Sequence, residues 1–179
     1  MTIEVVEYDP AWPGRFAETA TPIRRELGDV ALRIDHIGST AIPRLAAKPV
    51  IDVQIAVGSF EPLDGYRRPL EALGYVFQPD NPERTKRYFR EPPGTPRTHV
   101  HVRVSGSFSQ QLPLLFRDFV RAHPAVADEY AALKRELAAR HADDRQAYTD
   151  AKDPFVWRVL RDADAWAQAT GWQPGPSDA

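Results

Sequence analysis

Residues His36 to Val57 read HIGSTAIPRLAAKPVIDVQIAV, a Gly-Ser turn leading into an apolar run broken by a single carboxylate, Asp52. In PVIDVQIAV the side chains of Ile51, Val53, Ile55 and Val57 alternate with Asp52 and Gln54, the period-two pattern of a strand. A carboxylate facing a core would have to be desolvated, so Asp52 is expected to face a cleft or to find a partner. Before the turn, ALRIDHI reads as a second strand, with Leu32, Ile34 and His36 on one face and Arg33, Asp35 and Ile37 on the other. After it, TAIPRLAA reads as a short helix with Pro43 tolerated in the first turn.

Working outward, TIEVVEY has the β-branched content of a strand. DPAWPGRFAETATPIRREL follows with Trp12, Phe16, Ile23 and Leu27 at helical spacing, and Pro22 is expected to kink or split that helix. Beyond Val57 come a helix in PLDGYRRPLEALG, a strand in YVFQ, a loop over 79–86, and RYFRE positioned to pair with HVHVRVS across PPGTPRT. After Ser105 the period turns helical, and three helices are expected. The first buries Leu112, Leu115, Phe116 and Phe119; the second, from Pro124, buries Val126, Tyr130, Leu133 and Leu137; the third runs from Asp153-Pro154 to Gly171. The tail WQPGPSDA, 172–179, is expected to be mobile. The order predicts one α+β domain over 1–171, a mixed sheet in 1–107 and a helical part in 108–171, with a cleft between them.

The bulk properties narrow the function classes. At 179 residues, 27% charged and 42% apolar, the chain has the size and mixture of one globular domain. A net charge of −2 supplies no global positive field for nucleic acid or an anionic membrane, so any phosphate binding must be local. The absence of cysteine excludes disulfides, thiolate nucleophiles and cysteine zinc sites. The opening MTIEVVEYDPAW is acidic where a secretory signal needs a basic start, and no run approaches membrane-spanning length, so a cytoplasmic location is expected.

A strand, Gly-Ser-Thr turn and helix start suits phosphate oxygens, because glycine lets an anion approach the backbone and hydroxyls add donors. Gly38, Ser39 and Thr40 are therefore candidate phosphate-binding residues, with Lys48 as a source of positive charge; Ser39 or Thr40 can equally cap a short helix. Asp52 and the Gln54 amide oxygen can offer two oxygen ligands to a hard cation such as magnesium, while an arginine salt bridge to Asp52 is the plainer alternative. His99, His101 and Arg103 share one strand face, where the histidines can chelate a metal, pass protons or lie solvated. His36, beside the turn, can touch the same ligand or serve as a half-buried histidine bonded to backbone. Lys134, Arg135 and Arg140 read as ordinary helix surface, and Tyr130, Tyr148 and Lys152 add to a basic, aromatic helical third.

The stretch His36–Val57, with YDPAWPGRF, RTHVHVRV, FRDFVRAHPAVADEYAALKRELA and RQAYTDAKDPFVWRVL in collinear order, resembles the GrpB family of the nucleotidyltransferase superfamily. The resemblance implies a nucleotidyltransferase-like fold: a twisted mixed β-sheet with flanking helices, whose Gly-Ser turn grips a triphosphate while carboxylates on the next strand bind magnesium. Gly38 and Ser39 would take the phosphate turn and Asp52 the first acidic position. Gln54 falls where a second acid is usual, and histidines stand near the place of a third. GrpB-like domains also occur fused to a region described as an accessory to dephospho-coenzyme-A kinase.

Two functions from different classes follow. One is a magnesium-dependent nucleotidyltransferase using a nucleoside triphosphate, with Asp52, Gln54 and His101 catalytic, Asp52, Gln54 and His99 on the metal, and Gly38, Ser39, Thr40, Lys48 and His36 holding the nucleotide. The other is a module that binds a nucleotide or other phosphorylated small molecule without chemistry. A metal hydrolase built on Asp52, His99 and His101 is a third reading.

Overall fold

The computed structural model describes residues 3–179 and is organised around β2 (Ile51–Val57). That strand pairs antiparallel with β1 (Arg33–Ile37) and parallel with β5 (Thr98–Val104). β4 (Arg87–Arg90) and β3 (Val76–Phe77) extend the sheet by antiparallel pairing, giving the order β1-β2-β5-β4-β3. RYFRE thus pairs with the HVHVRV strand, as its pattern predicts. The β2–β5 crossover runs through α2 (Asp64–Ala72) and the β3–β4 hairpin.

One face of the sheet is apolar. Ile34, Val53, Ile55, Val57, Val100, Val102 and Phe89 pack against α1 (Trp12–Leu27) and α2. On α1 the buried set is Trp12, Phe16, Ala20, Ile23 and Leu27, at three- and four-residue spacing, and each large member contributes about 1.5–3 kcal/mol by leaving water. Pro22 lies within this helix without splitting it.

The other face is polar and half covered. Register places Asp35 opposite Gln54, Asp52 beside His99, and Gln54 beside His101, so these side chains share that face. Over it lie α3 (Phe108–Ala122), α4 (Pro124–Arg140), α5 (Arg145–Asp150) and α6 (Asp153–Thr170). Four helices stand here where three were expected, because Asp144 caps the extra turn of α5 by accepting from the Ala147 N–H at 2.9 Å.

Three expectations change. The segment read as an N-terminal strand contributes only a bridge between Val6 and Ala47, and its residue 2 lies outside the described residues. The helix expected over TAIPRLAA is a single 3-10 turn, Ser39–Ala41, after which Ile42, Leu45 and Ala46 fold into the core beneath α3, α4 and α6. The buried face of α3 is rotated: Gln110, Leu114 and Arg117 point inward, because the polar sheet face needs hydrogen-bonding partners that leucines cannot supply. The end of the tail lies along the open edge of β1. The Ile34 N–H donates to Ser177 Oγ at 2.8 Å, the His36 N–H to the Asp178 carboxylate at 2.9 Å, and the Ala179 N–H to the Ile34 carbonyl at 3.1 Å.

Candidate functional site

Between the polar sheet face and the helices lies a cleft of about 260 Å³. Gly38, Ser39, Asp52 and His99 form its sheet side, and Lys134 and Lys152 reach it from the helical side. Thr40, Lys48, Val50, Tyr130 and Tyr148 complete the lining. The Gly-Ser turn and the lone strand carboxylate therefore open into one hollow.

Gly38 makes that convergence possible. Its φ of 72° and ψ of −172° are a backbone conformation essentially confined to glycine. A Cβ there would sit 2.5 Å from Asp52 Oδ2. The bare backbone thus touches the carboxylate, and the chain turns within a single residue.

Asp52 Oδ1 receives both histidines of β5: His99 Nδ1 lies at 3.2 Å and His101 Nε2 at 3.1 Å. Burial raises the Asp52 pKa, but the hydrogen bonds from His101 and His99 outweigh it and hold the carboxyl well below the usual carboxylate range. Burial pushes His101 down to about 4 against the opposing pull of Asp52, so this imidazole is neutral at pH 7. Tyr88 of β4 fixes both rings, stacking on His101 at 5.4 Å and meeting His99 edge-on at 5.5 Å.

Three lysines also line the cleft. Lys134 of α4 is 2% exposed, and its Nζ lies 4.4 Å from the centre of the Tyr130 ring with no hydrogen-bond partner among the described residues. Lys48 and Lys152 both hold Nζ 4.7 Å from the centre of the Tyr148 ring. Burial, then mutual repulsion, pushes Lys134 down to about 7 and Lys48 to about 8. Lys152 is lowered too, by burial, although Asp52 opposes the shift. Three desolvated lysine amines, with Lys134 about half protonated at pH 7, share the hollow with one carboxylate, and added negative charge there would favour their protonated forms.

Of the residues proposed from sequence, Gly38, Ser39, Thr40, Lys48, Asp52 and His99 line this cleft, and His101 adjoins it through Asp52. Gln54 does not. It is fully buried, its Oε1 accepts from Arg103 at 2.9 Å, and its Nε2 donates to the Gln110 carbonyl at 2.9 Å. A guanidinium on the only oxygen it could offer opposes a cation there, so the expectation of Gln54 as metal ligand and catalytic group is corrected. His36 is corrected likewise: it points to the apolar face, stacks on Phe16 at 4.8 Å, and pairs through Nε2 with Thr40 Oγ1 at 3.0 Å. The Thr40 hydroxyl spends its one proton on the Val50 carbonyl at 3.0 Å, so Thr40 lines the cleft with its hydroxyl already engaged.

Sequence reading missed the buried placement of Lys134 in the cleft, having set it aside as helix surface. The signal was present, because Lys134 falls four after Tyr130 and three before Leu137, on the stripe that α4 buries.

The GrpB protein family model matches residues 2–162. The chain belongs to the GrpB family. A UPF0157 protein of Pseudomonas aeruginosa is 45% identical over 88% of this chain and 66% of its own length. A dephospho-CoA kinase of Mycolicibacterium paratuberculosis is 37% identical over 96% of this chain, which spans 48% of that protein. The chain likewise spans 48% of the UPF0157 protein YqkA of Bacillus subtilis. Among solved structures, the GrpB of Enterococcus faecalis superposes with a TM-score of 0.82 at 35% identity, covering 91% of this chain and 99% of that one. The poly(U) polymerase Cid1, with magnesium and 3'-dATP bound, superposes with a TM-score of 0.54 at 12% identity over 82% of this chain and 49% of its own. At that identity the likeness is one of fold, and the fold of this GrpB chain is nucleotidyltransferase-like.

Proposed function

We propose that the cleft of this GrpB protein binds the phosphate groups of a nucleoside triphosphate or a similarly charged phosphorylated small molecule. The observation that carries the reading is Lys134: a buried amine on the Tyr130 ring, with no hydrogen-bond partner among the described residues, lining a hollow that it shares with Lys48, Lys152 and the Ser39 turn. Burying such a cation without a counter-charge costs several kcal/mol, and a polyphosphate entering the cleft removes that cost. A neighbouring cavity of about 330 Å³ shares Lys48 and Val50 with the cleft and is edged by Arg97 and Arg145, which gives room for the rest of a ligand.

The two-magnesium set implied by the fold family does not fit the donors present. Magnesium takes oxygen ligands, and a metal pair needs more than one carboxylate to hold it. Here Asp52 is accompanied by two imidazoles, and Gln54 is tied to Arg103. Binding is therefore the primary reading, and no step is drawn through magnesium. Nucleotidyl transfer is the second reading, favoured by the nucleotide-bound transferase among the fold neighbours.

A thermal-shift screen of nucleoside triphosphates and inorganic phosphates, with and without magnesium, tests both. Stabilisation that needs no magnesium is expected, since a ligand selective for the folded state raises the midpoint by mass action. No stabilisation by any phosphate compound would overturn the binding reading. A product formed from the stabilising nucleotide would establish the second.

A further inference from the structure

We propose that Asp52, His99 and His101 form a mononuclear site for a divalent transition metal of the zinc class, whose open position faces the lysine-lined cleft. The first half stands on the triad alone; the second rests on the phosphate-binding reading.

The geometry is close to what such an ion requires. Asp52 Oδ1 lies 3.2 Å from His99 Nδ1 and 3.1 Å from His101 Nε2, and the three ligand atoms all fall within 4.8 Å of one another. In a tetrahedron with bonds of about 2.0–2.1 Å the ligand atoms stand about 3.3 Å apart, so both oxygen–nitrogen spans already suit a metal and the two imidazole nitrogens admit it by closing toward each other. The scaffold is rigid, because Asp52 and His99 are register partners on adjacent parallel strands and His101 follows two residues on, on the same face. Tyr88 packs on both imidazoles and limits their rotation.

One feature favours a metal over a purely structural hydrogen-bond cluster. Both imidazoles converge on one carboxylate oxygen, an arrangement a single cation satisfies by taking a lone pair from each. Two nitrogens and one oxygen select zinc, cobalt and nickel over magnesium. Three protein ligands leave a position open, the pattern of reactive rather than structural zinc sites.

Charge links the metal to the cleft. A divalent ion on one carboxylate leaves a net positive centre, with Lys48 and Lys152 both within electrostatic reach of Asp52. An anion at the open position balances it, so metal and phosphate are expected to strengthen each other's binding reciprocally.

The test is a titration of the chelator-treated, phosphate-free 179-residue chain with Co2+, followed by optical absorption. One Co2+ per chain is expected, with the visible band of a four- or five-coordinate centre, displaced by one equivalent of Zn2+ and not by millimolar Mg2+. Asp52→Asn and His101→Asn should each weaken Zn2+ binding by at least about 100-fold, while His123→Asn, remote from the triad, leaves it unchanged. X-ray absorption of the zinc-loaded wild type should show two imidazoles, a readout independent of how any variant folds. Sub-stoichiometric or absent binding, competition by Mg2+, or wild-type affinity in both triad variants would overturn the site. Adding inorganic phosphate to the Co2+ protein should shift the band, and an unchanged band would overturn the open-position claim. Phosphate binding measured in the presence of a chelator judges the cleft separately, so either reading can fail while the other holds.

Discussion

Gly38 and Asp52 are in direct contact: the place a Cβ would occupy on the glycine lies 2.5 Å from the aspartate Oδ2. The turn that forms one wall of the cleft and the strand that carries its carboxylate are therefore built as one piece. Gly38→Ala should cost about 1–3 kcal/mol from the backbone conformation alone, with the contact adding to it. Chemical denaturation measures this, and the midpoint should fall without a change in slope.

Lys134 gives a pH signature with a definite sign. Its ordinary pKa of 10.5 falls to about 7 in the folded chain, so between those values the unfolded state binds more protons and stability rises with pH. Lys134→Met should flatten that rise and, at pH 7, stabilise the ligand-free protein by about 1–3 kcal/mol. A stability–pH profile from pH 6 to 10 for both proteins checks it.

His36 works on the acid side. Burial takes it from 6.5 down to about 4, against the opposing pull of Asp52. The stability it contributes is complete above about 6.5 and is lost as pH falls through 4, by about 3 kcal/mol at 1.36 kcal/mol per unit. His36→Gln can keep a bond to Thr40 and should remove this part of the acid loss, measured as the urea midpoint between pH 7 and 4.

Much of this was legible in the sequence. β2, its Asp52, and the Gly-Ser turn before it declare themselves through alternation and turn chemistry, and both ends of the cleft's sheet side follow. What escaped were long-range polar requirements. Gln54 reads like Asp52 on the same strand face, yet it is closed over by Gln110 of α3 and Arg103 of β5, partners 56 and 49 residues away. Helix α3 turned by part of a revolution for the same cause: Arg117 is buried because it donates to the His36 carbonyl at 2.9 Å and the Asp178 carboxylate at 2.8 Å. Lys134 was hidden by its type, since a lysine on a helix is usually solvated.

Lys48 and Lys152 share one aromatic platform and should each contribute to anion binding. Lys48→Gln and Lys152→Gln are expected to weaken a polyphosphate by about tenfold apiece, near 1.4 kcal/mol, with little change in stability. Raising the ionic strength should weaken the wild type more than either variant, because each loses one screened charge.

Isothermal titration of inorganic tripolyphosphate into chelator-treated wild type and Lys134→Met tests the lysine cleft most directly. The structure leads to one site per chain in the wild type and an affinity at least about tenfold lower in the variant, a difference that shrinks above pH 8 as Lys134 loses its proton. No binding by the wild type, or equal affinity in the two proteins at pH 7, would contradict it.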